Sequence, residues 1–75
     1  MAKSAKRLVI CLDNTGYEAS LERRKIYVAL PDARAHKLGQ LRVIDESGED
    51  YLYDKAGFRE VSLPQSLRRA VLLAA

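Results

Sequence analysis

The stretch "RVIDESGEDYLYDKAGF", residues 42–58, constrains this 75-residue chain more than any other part of it. The runs "QLRVID" and "DYLYD" flank "ESGE". Asp45, Glu46, Ser47 and Gly48 match a type I turn with glycine in the left-handed position that makes a bulge. That register sets Leu41 opposite Tyr53 and Val43 opposite Tyr51, so four apolar side chains share one face of a hairpin. A two-residue loop at Ser47 and Gly48 would instead set Glu46 against Glu49 and Asp45 against Asp50, placing like charges across the strands twice. The bulged register does so once, at Asp45 and Glu49. A bulged hairpin with Tyr51 and Tyr53 turned to the core is therefore predicted.

The remaining chain supplies further short elements. "RLVICL", residues 7–12, is rich in β-branched and apolar residues and ends at "DNTG", where Asp, Asn and Gly bring turn chemistry. "KIYVAL", residues 25–30, is a second strand stopped by Pro31. Between them "YEASLERRK", residues 17–25, reads equally as one or two helical turns, with Tyr17 and Leu21 four apart, or as a long loop. "PDARAHKLG" is a short helical turn, started at Pro31 or Asp32 and closed by Gly39. After the turn "DKAGF", "REVSL" alternates as a last strand that Pro64 terminates. "PQSLRRAVLLAA" then places Leu67, Ala70, Val71 and Ala74 at helical spacing, predicting a helix over 64–74.

A chain of this length forms one domain, here residues 6–75 after a solvated tail at 1–5, and buries only about 60–65% of its unfolded surface. With 48% hydrophobic and 31% charged residues it lies far from the composition of disordered chains. Cys11 is the single cysteine, which excludes an intramolecular disulfide, and with His36 the single histidine no closed structural zinc site can form. The apolar run Leu8–Leu12 follows Lys3, Lys6 and Arg7 but ends at Asp13, too short for a secretory segment or a membrane span. A cytoplasmic protein is expected.

Five short strands, a long first connection, one tight hairpin and a single turn before the last strand predict a mainly β fold, a small five-stranded antiparallel barrel with short helical turns and a C-terminal helix. This order resembles SH3-like barrels, with residues 13–24 in the place of their long first loop and "DKAGF" in the place of the helical turn before the last strand. The strings "CLDNTGYEASLERRKIY" and "RVIDESGEDYLYDKAGF" also look like those of short bacterial proteins of unknown function. That resemblance implies a bacterial origin and the barrel, and no activity.

The site candidates follow from these elements. Clustered carboxylates at Asp45, Glu46, Glu49 and Asp50 lack the alternate spacing of a calcium loop, and a hairpin tip is no cleft for paired catalytic acids. Cys11 in "VICL" reads as a small core residue. His36 has no nucleophile at a recognisable spacing, and the four glycines are isolated rather than forming a phosphate loop. No enzyme, cofactor or metal is therefore expected. Small barrels bind through aromatics beside their loops, which points to a protein or peptide partner at Tyr17, Glu18, Tyr53 and Phe58. A chain without tryptophan is poorly suited to the proline-rich ligands of SH3 domains.

The competing reading starts from a net charge of +3 and a pI of about 9.2. Lys6, Arg7, Arg23, Arg24 and Lys25 could join in one patch for nucleic acid, with Arg68 and Arg69 as another. The C-terminal stretch "LRRAVLLAA" has more apolar residues than one narrow stripe needs. It either caps an open end of the barrel or pairs with a copy of itself in a homodimer.

Overall fold

The computed structural model describes residues 6–74, and the tail expected at 1–5 lies outside the described residues. The β-branched and aromatic runs form strands β1 (Arg7–Cys11), β2 (Ile26–Leu30), β3 (Gln40–Ile44), β4 (Asp50–Asp54) and β5 (Phe58–Glu60). All pairings are antiparallel, in the order β4-β3-β2-β1-β5. The sheet curls into a half-barrel, the mainly β fold expected from the order of the elements.

The hairpin forms in the bulged register, with Leu41 opposite Tyr53 and Val43 opposite Tyr51. Gly48 adopts φ +85°, and its N–H donates to the Asp45 carbonyl at 3.0 Å while the Asp45 N–H donates to Glu49 at 3.1 Å. A side chain at that φ would meet its own backbone, which is why glycine stands there. Helix α1 (Ala33–Lys37) fills the β2–β3 connection. Asp32 caps it by accepting from the Ala35 N–H at 2.9 Å, and Gly39 follows at φ +76°. Asp54 caps the 3-10 turn Lys55–Gly57 in the same way through Ala56.

Residues 12–25 settle as a loop of turns, not a helix. The Tyr17 carbonyl accepts from Ser20 and Leu21, both at 2.9 Å, and the Asn14 side-chain amide then binds the Leu21 carbonyl at 2.9 Å and closes the turn. Leu21 is 1% exposed and plugs the half-barrel. It joins Val9, Cys11, Tyr27, Ala29, Val43, Tyr53 and Phe58 in one core. The larger of these, Val9, Leu21, Val43 and Phe58, each contribute roughly 1.5–3 kcal/mol on burial.

Two expectations are corrected. The last strand is Phe58–Glu60 rather than residues 59–63, because Val9 already pairs with Glu60 and β1 starts at Arg7, leaving little partner strand for residues beyond. One more bond, from the Val61 N–H to the Leu8 carbonyl, ends the ladder. Tyr51 shares a strand face with Tyr53 yet is 50% exposed, with its hydroxyl donating to Glu49 at 3.1 Å. The loop residue Tyr17 packs on Tyr53, and Tyr51 lies two residues nearer the hairpin tip on an edge strand. The C-terminal helix α2 runs Gln65–Ala74, close to its predicted span, with Leu67 and Leu73 exposed.

Candidate functional site

The acidic corner is an internal latch. Asp45 is buried, and its carboxylate accepts from the Ser47 N–H and hydroxyl through Oδ1 and from the Tyr53 hydroxyl through Oδ2 at 2.6 Å. Burial pushes the Asp45 carboxyl up, but the hydrogen bonds from Ser47 and Tyr53 outweigh it and leave the group below the usual range. Burial, aided by Asp45, pushes the Tyr53 hydroxyl up to about 12. Glu46 accepts from Lys25 and from the Tyr27 hydroxyl, both at 2.6 Å, and these two bonds hold its carboxyl low.

The Tyr27 hydroxyl also accepts the Glu22 N–H at 2.7 Å, and the Glu46 N–H donates to the Ser20 carbonyl at 3.0 Å. The hairpin thereby holds the far end of the long loop. Of the corner's other two acids, Glu49 takes the Tyr51 hydroxyl, and Asp50 pairs with Arg42 at 2.9 Å. Each of the four carboxylates thus has a protein partner. Among the described residues no group of His, Cys, Asp or Glu is arranged to hold a metal ion.

What the latch positions is a recess of about 300 Å³ between the loop and the 3-10 turn. The Leu12 and Asp13 N–H groups both donate to the Gly57 carbonyl, at 2.8 and 3.2 Å, which docks "DNTG" on "DKAG". A Cβ on residue 57 would stand 2.9 Å from the Asp13 carbonyl oxygen, so only glycine allows this approach. Tyr17 stands edge-on to Tyr53 with ring centroids 5.0 Å apart, and Tyr53 meets Phe58 at 6.1 Å. Such pairs contribute about 0.5–1.5 kcal/mol beyond area burial. Asp13 and Asp54 stand at the rim. Each commits Oδ1 to its own turn, to Thr15 and to Ala56 respectively, and in each Oδ2 has no hydrogen-bond partner among the described residues. The Thr15 hydrogen bonds, and more weakly the nearby Arg23, keep Asp13 below the usual carboxylate range.

The four residues predicted to meet a partner divide into two pairs. Tyr53 and Phe58 are core residues, 5% and 4% exposed, and form the aromatic floor of the recess. Tyr17, 49% exposed, and Glu18 remain at the surface. Asp13, Asp54 and Gly57 were not expected at a site. Their turn motifs were legible, but that the two turns dock on each other was not.

The five cations predicted to form one patch are separated. Arg7 lies opposite Ala29 at one end of β1, whereas the Lys25 carbonyl binds the Cys11 N–H at the other. Lys25 is further tied to Glu46 at 2.6 Å and Glu22 at 3.9 Å, and Arg7 to Glu60 at 3.7 Å. Arg23 and Arg24 form the turn before β2, with Arg24 at φ +71°. Cys11 is fully buried and burial pushes its thiol up, away from the reactive thiolate. His36 is exposed on α1. Among the described residues no helix is long and apolar enough to cross a membrane.

Comparison of the chain with protein families, with curated proteins and with solved structures finds no match.

Proposed function

We propose that the protein is a non-enzymatic interaction module that binds a peptide segment of a protein partner at the recess between the long first loop and the 3-10 turn. The observation that carries this reading is the exposed Tyr17 ring, fixed edge-on over the buried Tyr53 and flanked by Asp13 and Asp54, each with one carboxylate oxygen unengaged among the described residues. A rigid aromatic surface with adjacent acceptors suits a peptide that lays an apolar side chain on the ring and donates hydrogen bonds to the rim. The latch through Tyr27 and Glu46 supports the same reading, because a loop held before binding loses less entropy on binding. The resemblance of the element order to SH3-like barrels, and of two strings to short bacterial proteins, belongs to this proposal, as does a cytoplasmic setting.

The test is a titration of isotope-labelled protein with arginine- and leucine-containing peptides, followed by amide chemical shifts. Shifts clustered at Tyr17, Gly57 and Phe58 and lost in Tyr17→Ala support the site. Folded protein whose recess amides stay still while other amides shift refutes it. Nucleic acid binding through Arg23, Arg24 and Lys25 is the competing outcome, recognised by steep loss of affinity with salt and by loss in the triple alanine variant.

The exposed Leu67 and Leu73 on α2 support a second element of the proposal, self-association through that helix. Sedimentation of a chain ending at Leu63 tests it. A folded monomer in place of a dimer supports the contact, and a full-length chain that is already monomeric refutes it.

A further inference from the structure

A second concavity lies away from the Tyr17 recess, at the end of the half-barrel where β1 begins and β2 ends, and it is larger, about 740 Å³. Its size falls within the range of ligand-binding clefts. Leu30, Leu41, Val61 and Leu63 line it, each half-buried, from the end of β2, from β3 and from the segment after β5. Around them stand Lys6, Arg7, Lys37, Arg42 and Arg68, five cations against the two carboxylates Asp32 and Glu60. Arg42 engages Asp32 at 2.8 Å and, outside the lining, Asp50 at 2.9 Å, and Arg7 reaches Glu60 at 3.7 Å, so both lining acids are already answered and the surplus charge is that of Lys6, Lys37 and Arg68. Lys6 and Lys37 have no ion-pair partner among the described residues, and both are exposed. The Arg68 guanidinium donates to the Lys6 carbonyl, which brings α2 to the same rim.

An apolar floor ringed by surplus positive charge selects for a ligand that is apolar along one side and carries several negative charges. Three chemistries meet part of that description. A nucleotide base would need an aromatic face to stack on, and among the described residues the exposed His36 is the only aromatic side chain in the lining. A fatty acid brings a single charge to cations that come from β1, α1, β3 and α2 or their flanks, and the groove is open on one side, leaving an alkyl chain wet. A peptide that alternates apolar and acidic residues satisfies both features, because an extended chain puts its odd and even side chains on opposite faces.

We infer that this groove is a second binding site, taking an extended acidic and apolar segment of a partner protein, independent of the recess at Tyr17. The probe is a fluorescein-labelled peptide alternating leucine and glutamate, followed by fluorescence anisotropy with the full-length chain. Its counterpart alternates leucine and lysine. The glutamate peptide binds and the lysine peptide does not. The variant Lys6→Glu with Lys37→Glu weakens binding about tenfold or more, since like charges then face each other. Raising salt from about 50 to about 300 mM weakens it as well.

Leu63→Ser reduces affinity through the floor, and if that variant unfolds, the exposed lysine pair keeps the test decisive. Tyr17→Ala leaves this binding unchanged, which separates it from the recess. Equal binding of the lysine peptide overturns the inference. So does absence of binding to folded protein, indifference to the lysine reversals, or tighter binding of dodecanoate or of oligodeoxythymidylate than of the glutamate peptide.

Discussion

Replacing Tyr27 by phenylalanine removes one oxygen atom on which the order of the long loop depends. In the folded chain that hydroxyl donates to Glu46 at 2.6 Å and accepts the Glu22 N–H at 2.7 Å, while the ring itself is 5% exposed. A hydrogen bond to a charged group is worth about 1.5–3 kcal/mol and a neutral one about 1 kcal/mol. Glu46 keeps Lys25, and its side chain is 32% exposed, so solvent recovers part of the first bond and its lower value applies. The expected loss is about 2–3 kcal/mol, with the ring's packing retained.

Against a total of roughly 4–11 kcal/mol for a domain of this length, that is a large fraction. It lowers Tm by roughly 10–20 °C. Urea unfolding followed by circular dichroism measures it, and a cycle with Glu46→Gln isolates the coupling, expected at about 1 kcal/mol or more. Hydrogen exchange at the Glu22 and Glu46 amides accelerates selectively, because those two groups tie the loop to the hairpin. A loss below about 0.5 kcal/mol with an unchanged m-value would refute the latch, as would exchange that accelerates uniformly.

Four further outcomes follow from the same contacts. Leu21→Ala, which empties the plug of the half-barrel, lowers stability by about 2–4 kcal/mol in urea unfolding, the range of buried leucine truncations. Asp45 and Glu46 titrate below their ordinary values when folded, so the stability they confer is complete only above about pH 5.5, beyond the unfolded values of both groups, and is lost progressively as pH falls through their folded pKa. Urea midpoints measured against pH read this. Tyr53 is raised from 10.0 to about 12, so its contribution is present below about pH 10 and is lost on the alkaline side up to about 12, and Tyr53→Phe removes that part of the profile. Cys11 resists a thiol reagent in native buffer and reacts at once in urea; rapid native labelling would contradict its burial.

Much of the architecture was legible because it rests on contacts a few residues apart. The turn at Asp45–Gly48 fixes its own register through one glycine in the left-handed region and one carbonyl three residues back. The helix start at Pro31 or Asp32 and the turn at residues 54–58 were readable for the same reason, as was the helix after Pro64. The span of the last strand was not. Its end depends on where β1 begins, some fifty residues earlier in the chain.

The sequence alone determined a β-rich chain, its hairpin register, the positions of α1 and α2 and the exclusion of a disulfide, because dihedral preference, side-chain alternation and residue counts are local or global properties that need no partner. It did not determine whether residues 17–25 form helix or loop. The tertiary structure decided what each polar and aromatic group does. It buried Tyr53 and Phe58 and left Tyr51 half-exposed, although Tyr51 and Tyr53 share one strand face. It turned the acidic corner into a clasp on three tyrosine hydroxyls, and it sent Arg7 and Lys25 to opposite ends of β1. The physical reason is common to all three: burial and electrostatic pairing depend on which distant segment the curled sheet brings alongside, and that closure is set by the whole core at once rather than by any neighbour in sequence.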